Sequence, residues 1–146
     1  MSVKVAFYKG REAFLDKLVQ WWTNSPYSHC EIVVDEISYS SSPRDGGVRP
    51  RGIIFNPDHW DFLPLTDANA QQIVEWFTLH RGAKYDWLGL LGFVLPHPIN
   101  SPDRWFCSEA CAAALGLALP WTLTPQDLYF LLSEKEPTPA QSVPAV

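Results

Sequence analysis

Ser28-His29-Cys30-Glu31-Ile32-Val33-Val34 and Trp105-Phe106-Cys107-Ser108-Glu109 are the two stretches on which the reading of this chain turns. In the first, a polar start runs into an apolar segment with the length and β-branched content of a strand, His29 to Val34. The second opens a run from Ala110 to Leu115 of high helix propensity, closed by Gly116. A thiol in the first turn of a helix and an imidazole at the start of a strand are the two parts of a cysteine nucleophile. The working species is a thiolate, and a helix N-terminus together with a nearby imidazolium lowers the thiol pKa towards neutrality. His29 and Cys107 are far apart in sequence, so only a fold can join them.

Working outward, Val3 to Tyr8 reads as a buried strand broken by Lys9-Gly10-Arg11. Phe14, Leu15, Leu18, Val19 and Trp22 fall on one face of a helix that ends near Asn24-Ser25-Pro26, and this face is expected to pack on a sheet. Asp35-Glu36 turns into a strand from Ile37 to Ser42. Pro43-Arg44-Asp45-Gly46-Gly47 is a hairpin signal, followed by a strand from Val48 to Phe55. Pro57 to Phe62 is expected to be loop and Leu63 to Leu65 a short strand. Thr66 is the expected cap of a helix through Ala70, Ile73, Val74 and Phe77, closed by Gly82. Leu88 to Leu95 reads as a short buried helix leading into a proline-punctuated loop. Thr124-Pro125-Gln126-Asp127 starts a last helix. From Ser133 onward, three prolines and no aromatic residue predict a disordered tail, leaving one domain over residues 1–132.

Composition narrows the function classes. The chain has 146 residues, 47% of them apolar, enough for one core. A formal net charge of -5 argues against a nucleic-acid partner, which would normally meet a basic face. No apolar run approaches the roughly 18 residues of a membrane span, and Met1-Ser2-Val3-Lys4 leads straight into a strand rather than a secretory leader. The expectation is a cytoplasmic chain with free thiols at its three cysteines.

The order of these parts resembles the circularly permuted branch of the NlpC family of papain-like cysteine hydrolases, with the YiiX-like proteins and, more distantly, the lecithin retinol acyltransferase group. The resemblance covers Val3 to Leu132 and rests on Tyr27-Ser28-His29 before Ile32-Val33-Val34, a Gly-Val segment, Tyr85-Asp86 and Phe106-Cys107-Ser108-Glu109. It implies an α+β papain-like fold, an antiparallel sheet packed against the nucleophile helix. It further implies Cys107 as nucleophile, His29 as general base and the Cys107 backbone N–H in an oxyanion hole. Tyr85, with Ser108 and Ser41, is implied as a polar support of substrate or oxyanion. The implied chemistry is cleavage of an amide or ester in a peptide or acyl substrate through an acyl-enzyme, with no cofactor and no metal, in a bacterial or phage setting. The same resemblance leaves open a lipid acyltransferase, or an inactive structural or interaction module of the same fold.

The third member of the triad departs from the family pattern, because the strand after the histidine strand reads Ile37-Ser38-Tyr39-Ser40-Ser41-Ser42. Glu31 comes first, since residues two apart on a strand share a face; Ser40, Ser41, Asp45 and Asp86 are the alternatives. Cys30 is expected to point to the opposite face from His29. Cys111, one turn after Cys107 among alanines, reads as core, with a redox neighbour of Cys107 as its alternative. Arg44, Arg49 and Arg51 read either as an anion-recognising patch or as a solvated hairpin face. Trp21, Trp22, Trp60 and Trp105 are candidates to line a cleft, and His59, His80 and His97 are expected to be solvated.

Overall fold

The computed structural model describes residues 1–91 and 101–136 of the chain. Its elements run β1 (Val3–Tyr8), α1 (Phe14–Trp22), β2 (His29–Val34), β3 (Ile37–Ser42), β4 (Gly47–Arg51), β5 (Trp60–Pro64), α2 (Ala70–Leu79), β6 (Lys84–Tyr85), α3 (Trp87–Leu91), β7 (Arg104–Trp105), α4 (Cys107–Ala114), a 3-10 turn (Pro120–Thr122) and α5 (Pro125–Lys135). The class is α+β. Among the described residues the strands form one sheet in the order β5-β1-β2-β3-β4-β6-β7. All neighbours are antiparallel except β6 and β7, which run parallel, so the sheet is mixed rather than antiparallel throughout.

The core lies between one sheet face and three helices. Val3, Val5 and Phe7 of β1 and Cys30, Ile32 and Val34 of β2 alternate onto that face, as a period of two requires. They meet Ile73 and Phe77 of α2, Ala110 and Cys111 of α4, and Leu128 and Leu132 of α5. The alanines of α4 let it pack closely on β2 and β3. Burial of these side chains is worth about 1.5 to 3 kcal/mol for each large one, which carries much of the stability. No helix among the described residues is long and apolar enough to cross a membrane.

Several boundaries differ from those the sequence predicts. β4 stops at Arg51, not Phe55, and Trp60 to Phe62, expected as loop, form most of β5 by pairing with Tyr8 to Ala6. Asn69, not Thr66, caps α2, accepting from the Gln72 N–H at 3.1 Å; Thr66 instead donates to the Glu136 carboxylate through its N–H and hydroxyl. That bond and the continuation of α5 to Lys135 place residues 133–136 within the fold, while 137–146, the rest of the expected tail, lie outside the described residues. The helix expected at Leu88 to Leu95 is present as α3 through Leu91, with Trp87 and Leu88 exposed rather than buried; its remainder, the proline loop up to residue 100 and His97 lie outside the described residues. On α1, Val19 is buried but Phe14 and Trp21 are exposed.

The β3–β4 hairpin depends on glycine. Gly47 has φ +143, and a Cβ there would lie 1.9 Å from the Ala83 carbonyl oxygen, because β4 and the start of β6 touch backbone to backbone. Val48 and Ala83 close this contact with a 2.8 Å N–H···O bond. Gly47→Ala is therefore expected to cost about 2 kcal/mol or more, read as a lowered midpoint in urea unfolding; an unchanged midpoint would refute the close approach.

Candidate active site

Cys107 is the first residue of α4, after an extended Phe106 whose N–H donates to the Glu109 carboxylate at 3.3 Å. Two serine hydroxyls fix this corner. Ser41 donates to the Trp105 carbonyl at 2.6 Å, tying β7 to β3, and Ser108 donates to the Leu123 carbonyl at 2.7 Å, tying the helix start to the turn before α5. Both hydroxyls, which the sequence reading offers as substrate or oxyanion groups, have their protons engaged on backbone carbonyls. The first N–H groups of a helix have no intrahelical acceptor, so the Cys107 corner offers donors to a developing anion.

His29 opens β2 opposite Tyr8 of β1, on the sheet face away from α4. Its Nε2 is 2.9 Å from Glu31 Oε1. Glu31, with 2% of its side chain exposed, also accepts from the Ser38 hydroxyl and from both terminal nitrogens of Arg49 at 2.8 Å. Burial alone would raise the Glu31 pKa, but the hydrogen bonds from Arg49 and His29 outweigh it and bring the carboxyl down to about 2. For His29, burial favours the neutral ring; the Cys107 thiolate and Glu31 outweigh burial and raise it to about 10. Arg49 continues outward, its Nε donating to Asp45 at 2.6 Å, and Arg51 donates to the same carboxylate at 3.0 Å. The result is an alternating row from Cys107 through His29, Glu31, Arg49 and Asp45 to Arg51 at the surface.

This settles where the alternatives lie. Glu31 is the acid against His29. Ser40 donates to the Cys30 carbonyl, Ser41 faces Trp105, and Asp45 reaches Glu31 only through Arg49. Asp86 accepts from the Gly89 N–H, and its Oδ2 is buried with no hydrogen-bond partner among the described residues. Nearby, burial outweighs the hydrogen bond from the Phe106 N–H and, with a smaller push from the Asp86 charge, raises the Glu109 carboxyl to about 7.

Cys107 is approached from two sides. Cys30 points to the α4 face as strand alternation requires, and both it and His29 lie near enough to Cys107 to act on its thiol. The neighbouring Cys30 thiol is the largest influence on Cys107, and with the His29 charge it outweighs burial and holds the thiol well below its usual range. Cys30 keeps its proton, burial first and Cys107 second pushing its own pKa up. Tyr85 is close enough that burial and the Cys107 charge raise its phenol.

A cleft of about 820 Å³ opens beside His29, Glu31 and Tyr85, walled by Leu15 and Val19 of α1, Ile53, Trp60 and Trp87. Trp60 is the member of the expected tryptophan set that lines it; Trp105 instead stands edge-on to Trp76 and His80. Cys107, 4% exposed, is not part of the cleft wall, whereas His29 and Tyr85 are. His80 stacks on Trp76 and is not simply solvated, and His59 lines the cleft. Compared with protein-family models and with curated proteins, the chain matches none of them.

The structure brings together His29, Glu31 and Cys107, which the sequence singles out, and adds two parts that it does not. The Arg49 fork on Glu31 was hidden because its register opposite Ser40 was unknown, and the role of Cys30 was hidden by strand parity. Glu31 stabilises the fold in full above pH 4.5, its ordinary value, and this contribution is lost as pH falls towards 2. Arg49→Met should weaken that acid arm, raise the Cys107 thiol by about one pH unit or more, and lower stability by roughly 3 kcal/mol. Arg49→Lys should restore part of the thiol shift, and Asp45→Asn should move it less; thiol alkylation against pH and urea unfolding at pH 3 and 7 check both.

Proposed function

We propose that this protein is a thiol hydrolase of permuted papain-like build that cleaves an amide or ester through an acyl-enzyme on Cys107. The observation that carries the reading is a helix-terminal thiol held low by His29 and Cys30, with His29 braced by a buried, Arg-paired Glu31. In this reading the Cys107 thiolate attacks the substrate carbonyl while the Cys107 N–H, with Tyr85 beside it, faces the oxyanion. The His29 imidazolium gives its proton to the leaving amine or alcohol. As neutral base, His29 then takes a proton from the water that resolves the thioester. Glu31 keeps the ring in register and favours its charged form, the part an acid plays in a catalytic triad.

A cleft walled by aliphatic and aromatic side chains on one side and by Asp16, Arg44 and Arg51 on another suits a substrate with an apolar body and a polar end. The second reading, a binding module without turnover, is favoured by the 4% exposure of Cys107 and its place outside the cleft wall.

Iodoacetamide alkylation from pH 4 to 9, read by peptide mass after cleavage at glutamate, separates the two. Cleavage after Glu109 puts Cys107 and Cys111 on different peptides. An ordinary thiol with pKa about 8.5 loses roughly 80-fold in alkylation rate between pH 8 and pH 6. Cys107 is expected to lose less than about twofold, and His29→Ala to restore the steep dependence. A steep profile indifferent to His29 would sink the hydrolase and leave the binding module. If the low-pH profile holds, release of acyl product only with an added amine or alcohol acceptor would make the enzyme a transferase.

A further inference from the structure

Three thiols meet at the contact of α4 with β2. Cys107 and Cys111 are one turn apart on the helix face that packs on β2, and Cys30 is the β2 residue turned towards them. All three are free and buried, and Cys111 Sγ is 3.8 Å from the Cys30 carbonyl oxygen. Cys30 and Cys107 lie in the same buried cluster, near enough that each shifts the titration of the other. A hydrolase that used Cys107 and His29 alone would have no need of a second thiol there.

We propose that Cys30 is the resolving thiol of Cys107, so that a hydroperoxide converts the pair to a reversible disulfide. The inference rests on the reading of Cys107 as a thiolate nucleophile. The thiolate attacks one peroxide oxygen, the O–O bond breaks, and Cys107 becomes a sulfenic acid; the departing alkoxide or hydroxide takes the His29 proton and leaves as alcohol or water. Cys30 sulfur then attacks Cys107 sulfur, the S–O bond breaks, and the hydroxyl leaves with the Cys30 proton as water. Two thiol sulfurs together lose two electrons and the peroxide gains two.

Geometry selects the partner. Residues four apart on a helix have Cβ atoms roughly 5 to 6 Å apart, beyond the roughly 3.5 to 4.5 Å that a disulfide spans, so Cys111 cannot resolve Cys107 without unwinding α4. Cys30 stands on a neighbouring element and already faces the sulfur. The disulfide would remove the nucleophile while shielding it from irreversible sulfinic acid, and a thiol reductant would return it.

The full chain, reduced and then treated with hydrogen peroxide, is denatured, alkylated and cleaved at glutamate. A Cys30–Cys107 linkage that dithiothreitol removes, with Cys111 alkylated, is the expected result. In Cys30→Ser the Cys107 peptide should instead gain about 32 Da as sulfinic acid. Sulfinic acid at Cys107 with Cys30 still free in the parent, or a Cys107–Cys111 linkage, would overturn the proposal. The alkylation profile of the same reduced sample keeps the two readings apart. A thiolate-like profile without the linkage sinks the disulfide alone, whereas an ordinary profile overturns the thiolate reading on which both the hydrolase and the disulfide rest.

Discussion

The ionised carboxylate of Glu31 is the constraint around which this side of the sheet is organised. A charge with 2% of its side chain exposed is stable only where hydrogen bonds replace the lost water, and here Arg49, Ser38 and His29 supply them from three positions on β4, β3 and β2. Those strands must be in one register for the donors to converge. Ser40 opposite Arg49, and Ser38 opposite Arg51, are the pairings that bring the fork to the acid. Slipping β4 by one residue would turn Arg49 to the α4 face and strand Glu31. The polar group that braces His29 therefore also specifies how β3 and β4 pair.

Cys107 meets His29 at the inner end of the alternating row of charges, but the contacts that hold its backbone in place lie on the α4 side of the sheet. α4 packs through alanines, so its start comes close to β2, and the Ser41 and Ser108 hydroxyls hold the chain on either side of the thiol. The parallel β6–β7 pair sets Tyr85 beside Trp105, two residues before the thiol. The close approach of Gly47 to Ala83 anchors β6 to the rest of the sheet. Catalytic geometry in this reading arises where two independently specified units meet: the strand start carrying His29 and Cys30, and the helix start carrying Cys107.

What the sequence made legible follows from this division. Local patterns reveal strands, helices and caps, so β1, β2, β3, α4 and the hairpin glycines could be read directly, as could the shared face of His29 and Glu31. Non-local pairing could not. β5 looks like loop because the alternation of Trp60, Asp61 and Phe62 lasts only three residues after Pro57 and Asp58, too short to mark a strand; they become one by bonding to β1. Ser41 and Ser108 look like polar site residues by proximity to Cys107 in motif or family order, and only the fold shows their hydroxyls spent on backbone carbonyls. Arg49 was one of three hairpin arginines that composition could not tell apart; register distinguishes it, leaving Arg51 on the outer end of the row and Arg44 at the cleft, 3.8 Å from Asp16.

The row from Cys107 to Arg51 has a further physical consequence. Its charges alternate, so with Cys107 and His29 ionised the six groups sum to zero, and each buried charge has an opposite neighbour in contact. In the hydrolase reading, moving the His29 proton onto a leaving group would unbalance only the inner end, where Glu31 would lose one of its partners but keep Ser38 and the Arg49 fork. In that reading the carboxylate would stay ionised through the proton transfer and the ring would stay oriented for the return step. Asp45 performs the same service for Arg49 at the outer end, where solvent screens what remains. The groups that differ most in exposure therefore differ in consequence. A change at Glu31 or Arg49 leaves an uncompensated charge indoors, while a change at Arg51, 57% exposed, is absorbed by water.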